Sequence, residues 1–207
     1  MLEKIVFCDF DGTITTEDTL IKMLRKFTPD LTEQILPEIY HLRLTLKDGV
    51  RQLMESIPSA KYPEILAFMQ CEPQRPGFKE LLDFLTARNI KLVIISGGLK
   101  GMIEAILGDL KEQIYAIHAF DVDTTKPYLQ VKSDYESDTQ LVSKVDVIKS
   151  YNVQDFIVIG DSVTDLQMSL YSPVVFARDR LAKYLDEKQK KYILWSDFYD
   201  IMKKLAS

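Results

Sequence analysis

The chain has 207 residues, 46% of them hydrophobic and 28% charged, which is typical of a soluble protein with one core and room for a small appended module. The formal net charge is −5 and no basic stripe is present, so we expect no nucleic-acid partner, and an enzyme of this charge that handles anions must draw positive charge from a metal or a single lysine. No apolar run is long enough to cross a membrane, and the run that begins at Met1 is too short for a signal peptide. The two cysteines, Cys8 and Cys71, do not make a disulfide framework. We therefore expect a cytoplasmic protein without a membrane partner.

The first predicted element is a buried strand at 5–7, which ends on two aspartates with one residue between them. Asp9 and Asp11 are followed at once by Gly12 and Thr13. Because Asp and Gly are ordinary turn residues, the pattern is also compatible with a plain acidic turn. Open α/β sheets, however, bind ligands at the carboxyl ends of their strands. We therefore interpret the two carboxylates as part of a site.

A long helical stretch follows this strand. Its apolar residues recur at helical spacing, and no segment within it has the pattern of a buried strand. Pro29 marks the end of the first helix, and Pro37 either kinks the next helix or begins a new one. The predicted domains are a small helical cap at 16–73, inserted after the first strand, and a core formed by 1–15 and 74–207.

After the insert, buried strands alternate with helices, which predicts a doubly wound parallel α/β sheet. A polar stretch at 121–138 is compatible with a hairpin, and a helix at 141–151 carries Lys144. The further predicted strands are 91–95, 115–120, 156–159 and 174–176. The other predicted helices are 77–89, one that ends near 110, one that ends near 171, 181–188 and 195–205.

The carboxyl ends of three predicted strands carry polar residues, and in such a sheet these ends lie on one edge. The second strand is followed by Ser96, Gly97 and Gly98, and the fourth is followed by Asp161 and Asp165. Together with the aspartates after the first strand, they form a cluster of carboxylates that repel one another and need a cation. Because every ligand is oxygen, the cation expected is Mg²⁺.

A site of this composition also has room for a phosphate. The hydroxyl of Ser96 and the amides of Gly97 and Gly98, at the expected start of a helix, form a natural phosphate seat, and Lys144 supplies a point charge. Phosphoryl transfer depends mostly on positioning and on neutralising charge. One carboxylate is free to attack as a nucleophile, and a second can protonate the leaving alkoxide and later take a proton from water.

These residues resemble the four motifs of the haloacid dehalogenase-like phosphatases, in the right order and across the whole chain. The resemblance implies that Asp9 is the nucleophile and a metal ligand, and that Asp11 is the general acid and base and binds the metal through its backbone carbonyl. It further implies that Thr13 supports the loop. The remaining implied roles are phosphoryl binding by Ser96 and Lys144, metal binding by Asp161, and orientation of the site by Asp165.

Two further likenesses narrow the family. The helical insert and the sequence at 95–98 resemble the phosphoserine phosphatase branch, and the segments 160–165, 176–179 and 195–199 resemble the methionine-salvage phosphatases. The latter often carry a cysteine-rich stretch before the motif lysine, and 128–143 contains no cysteine here. The resemblance therefore implies a small phosphorylated metabolite as the substrate, and its identity stays open among the methionine-salvage enol phosphate, phosphoserine, phosphoethanolamine and phosphocholine.

Two residues of the insert are candidate substrate contacts. Asp18 can be a helix N-cap or can contact a substrate, and Arg51 can meet a substrate anion or lie on a solvated face. A phosphotransferase would share the covalent intermediate, and a catalytically silent member of the fold would only bind a ligand. We expect a monomer or a homodimer.

Overall fold

The computed structural model describes residues 4–206, so residues 1–3 and 207 of the predicted core, with the short N-terminal apolar run, lie outside the described residues. It contains one seven-stranded sheet in the order β4-β3-β2-β1-β5-β6-β7. All neighbouring strands are parallel except β3 and β4, which are antiparallel. The predicted doubly wound α/β fold is confirmed.

The strands and helices have the following bounds. The strands are β1 Ile5–Cys8, β2 Lys91–Leu99, β3 Ala116–Asp123, β4 Gln130–Lys132, β5 Phe156–Gly160, β6 Val174–Ala177 and β7 Ile193–Leu194. The helices are α1 Thr19–Phe27, α2 Pro29–Tyr40, α3 Leu46–Glu55, α4 Tyr62–Met69, α5 Phe78–Thr86, α6 Lys100–Leu107, α7 Lys144–Ser150, α8 Leu166–Tyr171, α9 Asp179–Glu187 and α10 Phe198–Ala206. Short 3-10 helices lie at Ser59–Lys61, Gly108–Gln113 and Val163–Asp165.

Strand β1 occupies the middle of the sheet and fixes the position of the site. It pairs in parallel with β2 and β5, so that Cys8 lies beside Ile94 and Ile159. All four of its residues are buried, because helices cover both faces of a parallel sheet. From β1 the chain builds the sheet outward to one side and then, from β5, to the other. The carboxyl ends of β1 and β5 therefore form the crevice at which such sheets bind ligands.

Helices α1 to α4 form the insert between β1 and α5. Their buried apolar residues, apart from Leu36, belong to the same continuous core as those of the central strands. The insert also joins the β3–β4 hairpin, since Leu129 N donates to Ile57 O and Ser59 N donates to Pro127 O. Pro29 begins α2, and Pro37 lies inside that helix. That the insert is a separate cap domain stays a prediction.

Several boundaries differ from those predicted. The predicted end of the second strand at residue 95 is wrong, because the backbone remains extended through Ser96, Gly97 and Gly98 to Leu99. The predicted hairpin is present and consists of β3 and β4, with Asp121 opposite Lys132. Strand β7 was not predicted, since two residues are too short to show a periodicity. No helix within residues 4–206 combines the length and the apolar character needed to cross a bilayer.

Candidate active site

Three carboxylates converge at the carboxyl ends of β1 and β5. Asp9 follows β1 directly, and its backbone N–H donates to Ile159 O at 2.9 Å, which fixes it beside the neighbouring strand. Asp161 and Asp165 follow β5. One carboxylate oxygen from each of the three lies within 4.8 Å of the others, and Asp9 and Asp165 are buried. The sheet therefore brings together side chains that are more than 150 positions apart in the sequence.

Lys144 supplies the positive charge at this cluster. It is the first residue of α7 and is buried, and its ammonium forms ion pairs with Asp9 Oδ1 and, at 2.6 Å, with Asp165 Oδ1. Burial alone would lower the pKa of Lys144, but the carboxylates of Asp165 and Asp9 outweigh it and raise the pKa above its ordinary value. The lysine therefore stays charged.

Asp165 is committed to holding the other groups. Its Oδ1 accepts from Lys144, and its Oδ2 accepts from the backbone N–H groups of Asp161 and Ser162, each at 3.0 Å. A Cβ on Gly160 would lie 2.7 Å from Cγ of Asp165, so the carboxylate packs directly on the strand end. Asp165 thus orients Lys144 and the loop of Asp161, which supports its predicted role as a positioning group.

Within the described part of the chain, Lys144 is the one cation that forms an ion pair with this cluster. Burial raises the pKa of Asp9 well above its ordinary range, and the Asp165 carboxylate adds to this effect. Burial, followed by the Asp165 carboxylate, raises the pKa of Asp161 from 3.8 to about 6. One ammonium faces three carboxylates, so this cluster favours either a proton or a cation.

Asp11 is held by the helical insert. Its Oδ1 accepts from the backbone N–H of Thr19 at 2.7 Å and from the Thr19 hydroxyl. Removal from water and then the nearby Asp18 carboxylate raise the pKa of Asp11 from 3.8 to about 7, against the opposing effect of the Thr19 hydrogen bonds. A carboxyl that titrates near neutral pH is suited to both giving and taking a proton.

Ser96, Gly97 and Gly98 lie at the end of β2 and not at a helix start, because α6 begins at Lys100. The backbone N–H of Gly98 donates to Ser96 Oγ at 2.9 Å. Ser96 and Gly97 line the cavity described below, and no atom beyond the chain neighbours of Gly97 lies within 4 Å of where a Cβ on Gly97 would be. Ser96 and Gly97 are therefore the groups of this predicted phosphate seat that are open to a ligand.

A cavity of about 340 Å³ opens above these groups. Its floor is polar, and its walls are mostly apolar side chains from the insert. The floor includes Asp9, Asp11, Gly12, Ser96, Gly97, Lys144 and Asp161. The walls include Leu20, Ile21, Leu24, Leu36, Ile39, Tyr40, Leu46, Val50 and Leu53 from the insert, and Leu141 and Val142 from the core.

The three remaining predicted site residues, Asp18, Thr13 and Arg51, differ in whether they line the cavity. Asp18 lines the cavity and also caps α1, since its Oδ1 accepts from Ile21 N at 2.9 Å. Thr13 is fully buried, and its hydroxyl donates to Asp161 Oδ1 at 3.1 Å. Arg51 does not line the cavity. Its guanidinium donates to Glu136 Oε2 at 2.6 Å and to Val131 O at 3.1 Å, so it joins α3 to the core.

Sequence reasoning missed two residues that hold the site. Thr19 binds Asp11, and the guanidinium of Arg75 donates to Gly12 O at 2.6 Å and to Thr13 O at 2.8 Å. A threonine after a helix cap and an arginine between two prolines carry no local signal of such a role. Both contacts depend on how the ends of the insert return to the core.

The donor set fits a magnesium ion. Within residues 4–206, no hydrogen bond reaches Oδ2 of Asp9 or Oδ2 of Asp161, although both carboxylates belong to the cluster. No sulfur or imidazole belongs to it, and oxygen-only donors suit a hard divalent cation. Asp165 has both oxygens engaged, so Asp9 and Asp161 are the side chains with oxygen atoms to offer.

Comparisons with known proteins agree with this geometry. A family model described as haloacid dehalogenase-like hydrolase matches residues 6–169. Two curated relatives are named 2-hydroxy-3-keto-5-methylthiopentenyl-1-phosphate phosphatase. The protein from Microcystis aeruginosa (strain NIES-843 / IAM M-2473) is 48% identical over 206 residues, 99% of this chain and 98% of its own. That from Bacillus cereus (strain ATCC 10987 / NRS 248) is 36% identical over 210 residues, 97% of this chain and 94% of its own.

Solved structures share the fold. The phosphoserine phosphatase from T. onnurineus matches with a TM-score of 0.73 at 17% identity, covering 98% of this chain and 94% of that chain. A phospho-aspartyl intermediate analogue of phosphoserine phosphatase matches with a TM-score of 0.68 at 19% identity, covering 99% of both chains. At these identities the structural likeness establishes the fold alone.

A pair of glycine variants tests how tightly the strand ends are packed. We expect Gly160→Ala to displace Asp165 and weaken Mg²⁺ binding by about tenfold or more, because Asp165 positions the groups around the metal. Gly97→Ala is the matched control, since its Cβ would enter open space. Isothermal titration calorimetry with Mg²⁺ on both folded proteins measures the difference. Equal affinities would show that the packing at Gly160 does not hold the site.

Metal stabilisation should depend on pH. Because the pKa of Asp161 is raised from 3.8 to about 6, its protonation stabilises the metal-free fold below about pH 4, and that stability is lost as the pH rises through about 6. We therefore expect Mg²⁺ to raise the melting temperature more at about pH 8 than at about pH 5, where protons compete for the carboxylates. Thermal denaturation with Mg²⁺ and with chelator measures this, and an equal shift at both pH values would contradict it.

Proposed function

The chain belongs to the haloacid dehalogenase-like hydrolase family, and we propose that it is a Mg²⁺-dependent phosphatase that acts on a small phosphomonoester through an aspartyl phosphate on Asp9. The observation that carries this proposal is the convergence of Asp9, Asp161 and Lys144 on the floor of a cavity, with Asp11 beside them. This arrangement combines a nucleophile, a proton donor and positive charge at one place.

The residues support a two-step reaction. A carboxylate oxygen of Asp9 attacks phosphorus while the bond to the leaving oxygen breaks, and Asp11 donates its proton to that oxygen. Asp11, now ionised, takes a proton from a water that attacks the aspartyl phosphate, which releases phosphate and restores Asp9. When bound by Asp9, Asp161 and the Asp11 carbonyl, Mg²⁺ would neutralise phosphoryl charge. Lys144 and the Ser96 hydroxyl hold the transferred group.

Asp11 is suited to these two roles by its surroundings. With a pKa of about 7 it carries a proton in part of the molecules at neutral pH, and it can accept one again after the first step. The two hydrogen bonds from Thr19 fix its carboxylate at the edge of the cavity. An ordinary surface aspartate would be almost fully ionised and a poor proton donor.

The apolar walls indicate the substrate. Lys144 is the one lysine or arginine among the residues that line the cavity, and Asp9 and Asp165 already engage it. Phosphoserine carries a carboxylate that needs a positive partner in a desolvated cavity, and the insert offers none at the wall. We propose instead a phosphate ester with an apolar tail. The methylthio chain of the substrate for which the curated relatives are named meets this requirement.

Other functions fit the site less well. Asp11 lies beside the desolvated carboxylate of Asp9 at the floor of the cavity. A catalytically silent binding module would not need such a pair of acidic groups. A phosphotransferase would share the aspartyl phosphate and differ only in the acceptor of the phosphoryl group. A search for transfer products distinguishes it from hydrolysis to free phosphate.

We also propose that the enzyme works in the cytoplasm as a monomer or homodimer. Its cysteines, Cys8 and Cys71, are both free, which fits a reducing compartment. Phosphorylated metabolites are charged and do not cross membranes unaided.

A substrate panel tests the proposed reaction. We expect Mg²⁺-dependent release of phosphate from p-nitrophenyl phosphate, and the highest kcat/KM for the methylthio enol phosphate over phosphoserine, phosphoethanolamine and phosphocholine. Asp9→Asn should lower kcat by at least about a thousandfold, because an amide is a poor nucleophile. Asp30→Asn, an exposed aspartate on α2, is the control. Full phosphate release by Asp9→Asn would contradict the mechanism, and a preference for phosphoserine would contradict the substrate.

The role of the cavity wall can be tested separately. Leu20→Asn places an amide in the apolar wall, and we expect kcat/KM for the methylthio substrate to fall about tenfold from the loss of about 1–2 kcal/mol of apolar contact. For a phosphate ester with no apolar tail, such as methyl phosphate, the same variant should lower kcat/KM by much less. Leu42→Asn is the control, because Leu42 is 91% exposed and does not line the cavity. If both variants behave alike, the wall does not select the tail.

A further inference from the structure

Arg75 is a buried arginine to which the reaction assigns no role. It lies directly after the helical insert, and it does not line the cavity. Its side chain points instead at the backbone of residues 9–15, named here the catalytic loop. A buried guanidinium is costly unless its donors are satisfied, so the groups that it meets are informative.

The hydrogen bonds that Arg75 donates all go to carbonyls of the catalytic loop. Nε donates to Thr13 O at 2.8 Å, and Nη2 donates to Gly12 O at 2.6 Å and to Thr15 O at 3.3 Å. The backbone N–H of Arg75 donates to Ile14 O at 2.7 Å. One residue therefore holds four consecutive carbonyls, beginning directly after Asp11.

The loop that Arg75 holds needs external support. Gly12 has a φ of +77°, and a Cβ there would lie 2.5 Å from Asp161 Oδ2, so the backbone turns sharply against the carboxylate cluster. The Thr13 hydroxyl also aims Asp161. A shift of the Gly12 or Thr13 carbonyl would move Asp11, which precedes Gly12 in the chain. It would also move the Thr13 hydroxyl that donates to Asp161.

The indole of Trp195 packs beside the guanidinium of Arg75. The guanidinium carbon of Arg75 lies 5.5 Å from the centroid of its indole, and that of Arg178 lies 5.2 Å from the same centroid. Trp195 is buried and is the only tryptophan of the chain. Phe198, in contact with this indole, donates its backbone N–H to Pro76 O, which fixes the segment of Arg75 as well.

We propose that Arg75 is a positioning residue of the reaction, which sets the path of the catalytic loop and thereby the directions of the Asp9 carboxylate and the Asp11 carbonyl toward the metal and the phosphorus. The expected effect of Arg75 on kcat rests on the proposed function. Its expected effect on Mg²⁺ affinity rests on the geometry of the catalytic loop alone. The forked guanidinium is required, because a lysine cannot donate in fixed directions to two carbonyls at once.

The variants Arg75→Met and Arg75→Lys test the proposal in the full-length chain. Arg178→Met is the matched control, because it removes the other guanidinium that lies beside Trp195. The hydrogen bonds of the Arg178 side chain go to Asp179 and to Ser196 O, which lie outside the catalytic loop. Circular dichroism and thermal denaturation establish a temperature at which each variant is folded. Mg²⁺ affinity is measured by calorimetry and by the fluorescence of Trp195, and kcat and KM are measured with p-nitrophenyl phosphate.

We expect Arg75→Met to weaken Mg²⁺ binding and lower kcat, each by about 10–100-fold, with KM changed by less than about threefold. Arg75→Lys should lie between Arg75→Met and the wild type. Arg178→Met should keep the wild-type Mg²⁺ affinity and kcat, even if it lowers the melting temperature as much as Arg75→Met does.

The inference is overturned if folded Arg75→Met and Arg75→Lys match Arg178→Met in Mg²⁺ affinity and kcat, since Arg75 would then only stabilise the fold. If Arg75→Met does not fold, Arg75→Lys decides by the same comparison. If the wild type hydrolyses no phosphate ester, the proposed function fails, and the Mg²⁺ affinities of the variants still decide whether Arg75 positions the loop.

Discussion

The ion pair between Lys144 and the carboxylates of Asp9 and Asp165 is the contact on which the rest of the site depends. It brings together the ends of β1 and β5 and the start of α7 in a place from which water is largely excluded. A buried charge without a partner is far more costly than a surface one, so removing one member would leave the others uncompensated. Since one ammonium faces three carboxylates including Asp161, the cluster also retains a net negative charge that a divalent cation can neutralise.

The parallel sheet makes this convergence possible. Cys8 lies in register with Ile94 and Ile159, so Ser96 and Gly97 of β2 and the residues that follow β1 and β5 lie at the same edge. The chain builds outward from β1 on both sides, which leaves a crevice at the centre of the sheet. The insert then covers this crevice with apolar side chains. Apart from Asp18, the charged residues that line the cavity lie at its floor, and the walls are mostly apolar.

The parts of the structure that the sequence could predict are those with a strong local pattern. The buried runs of β1 and β5 and the aspartates that follow them indicate both the sheet and the carboxylate cluster. What could not be predicted depends on contacts between distant segments. The engagement of Arg51 by Glu136, the donation of Arg75 to the catalytic loop and the contact of Thr19 with Asp11 each require the path of the insert back to the core. Glycine-rich β2 is extended to Leu99 by its pairing with Phe120, which no local propensity reveals.

The contact between Thr19 and Asp11 links the two halves of the site. Thr19 begins α1, and the same helix carries Leu20, Ile21 and Leu24 in the cavity wall. In the proposed reaction, the helix that faces the tail of the substrate therefore also holds the carboxyl that is proposed to protonate its leaving oxygen. On this proposal, a substrate that fits the wall would keep α1 in place and the acid oriented, whereas one that displaces the helix would lose both at once. Selection of the leaving group and its protonation would then both depend on one short helix, while the buried strands supply the floor.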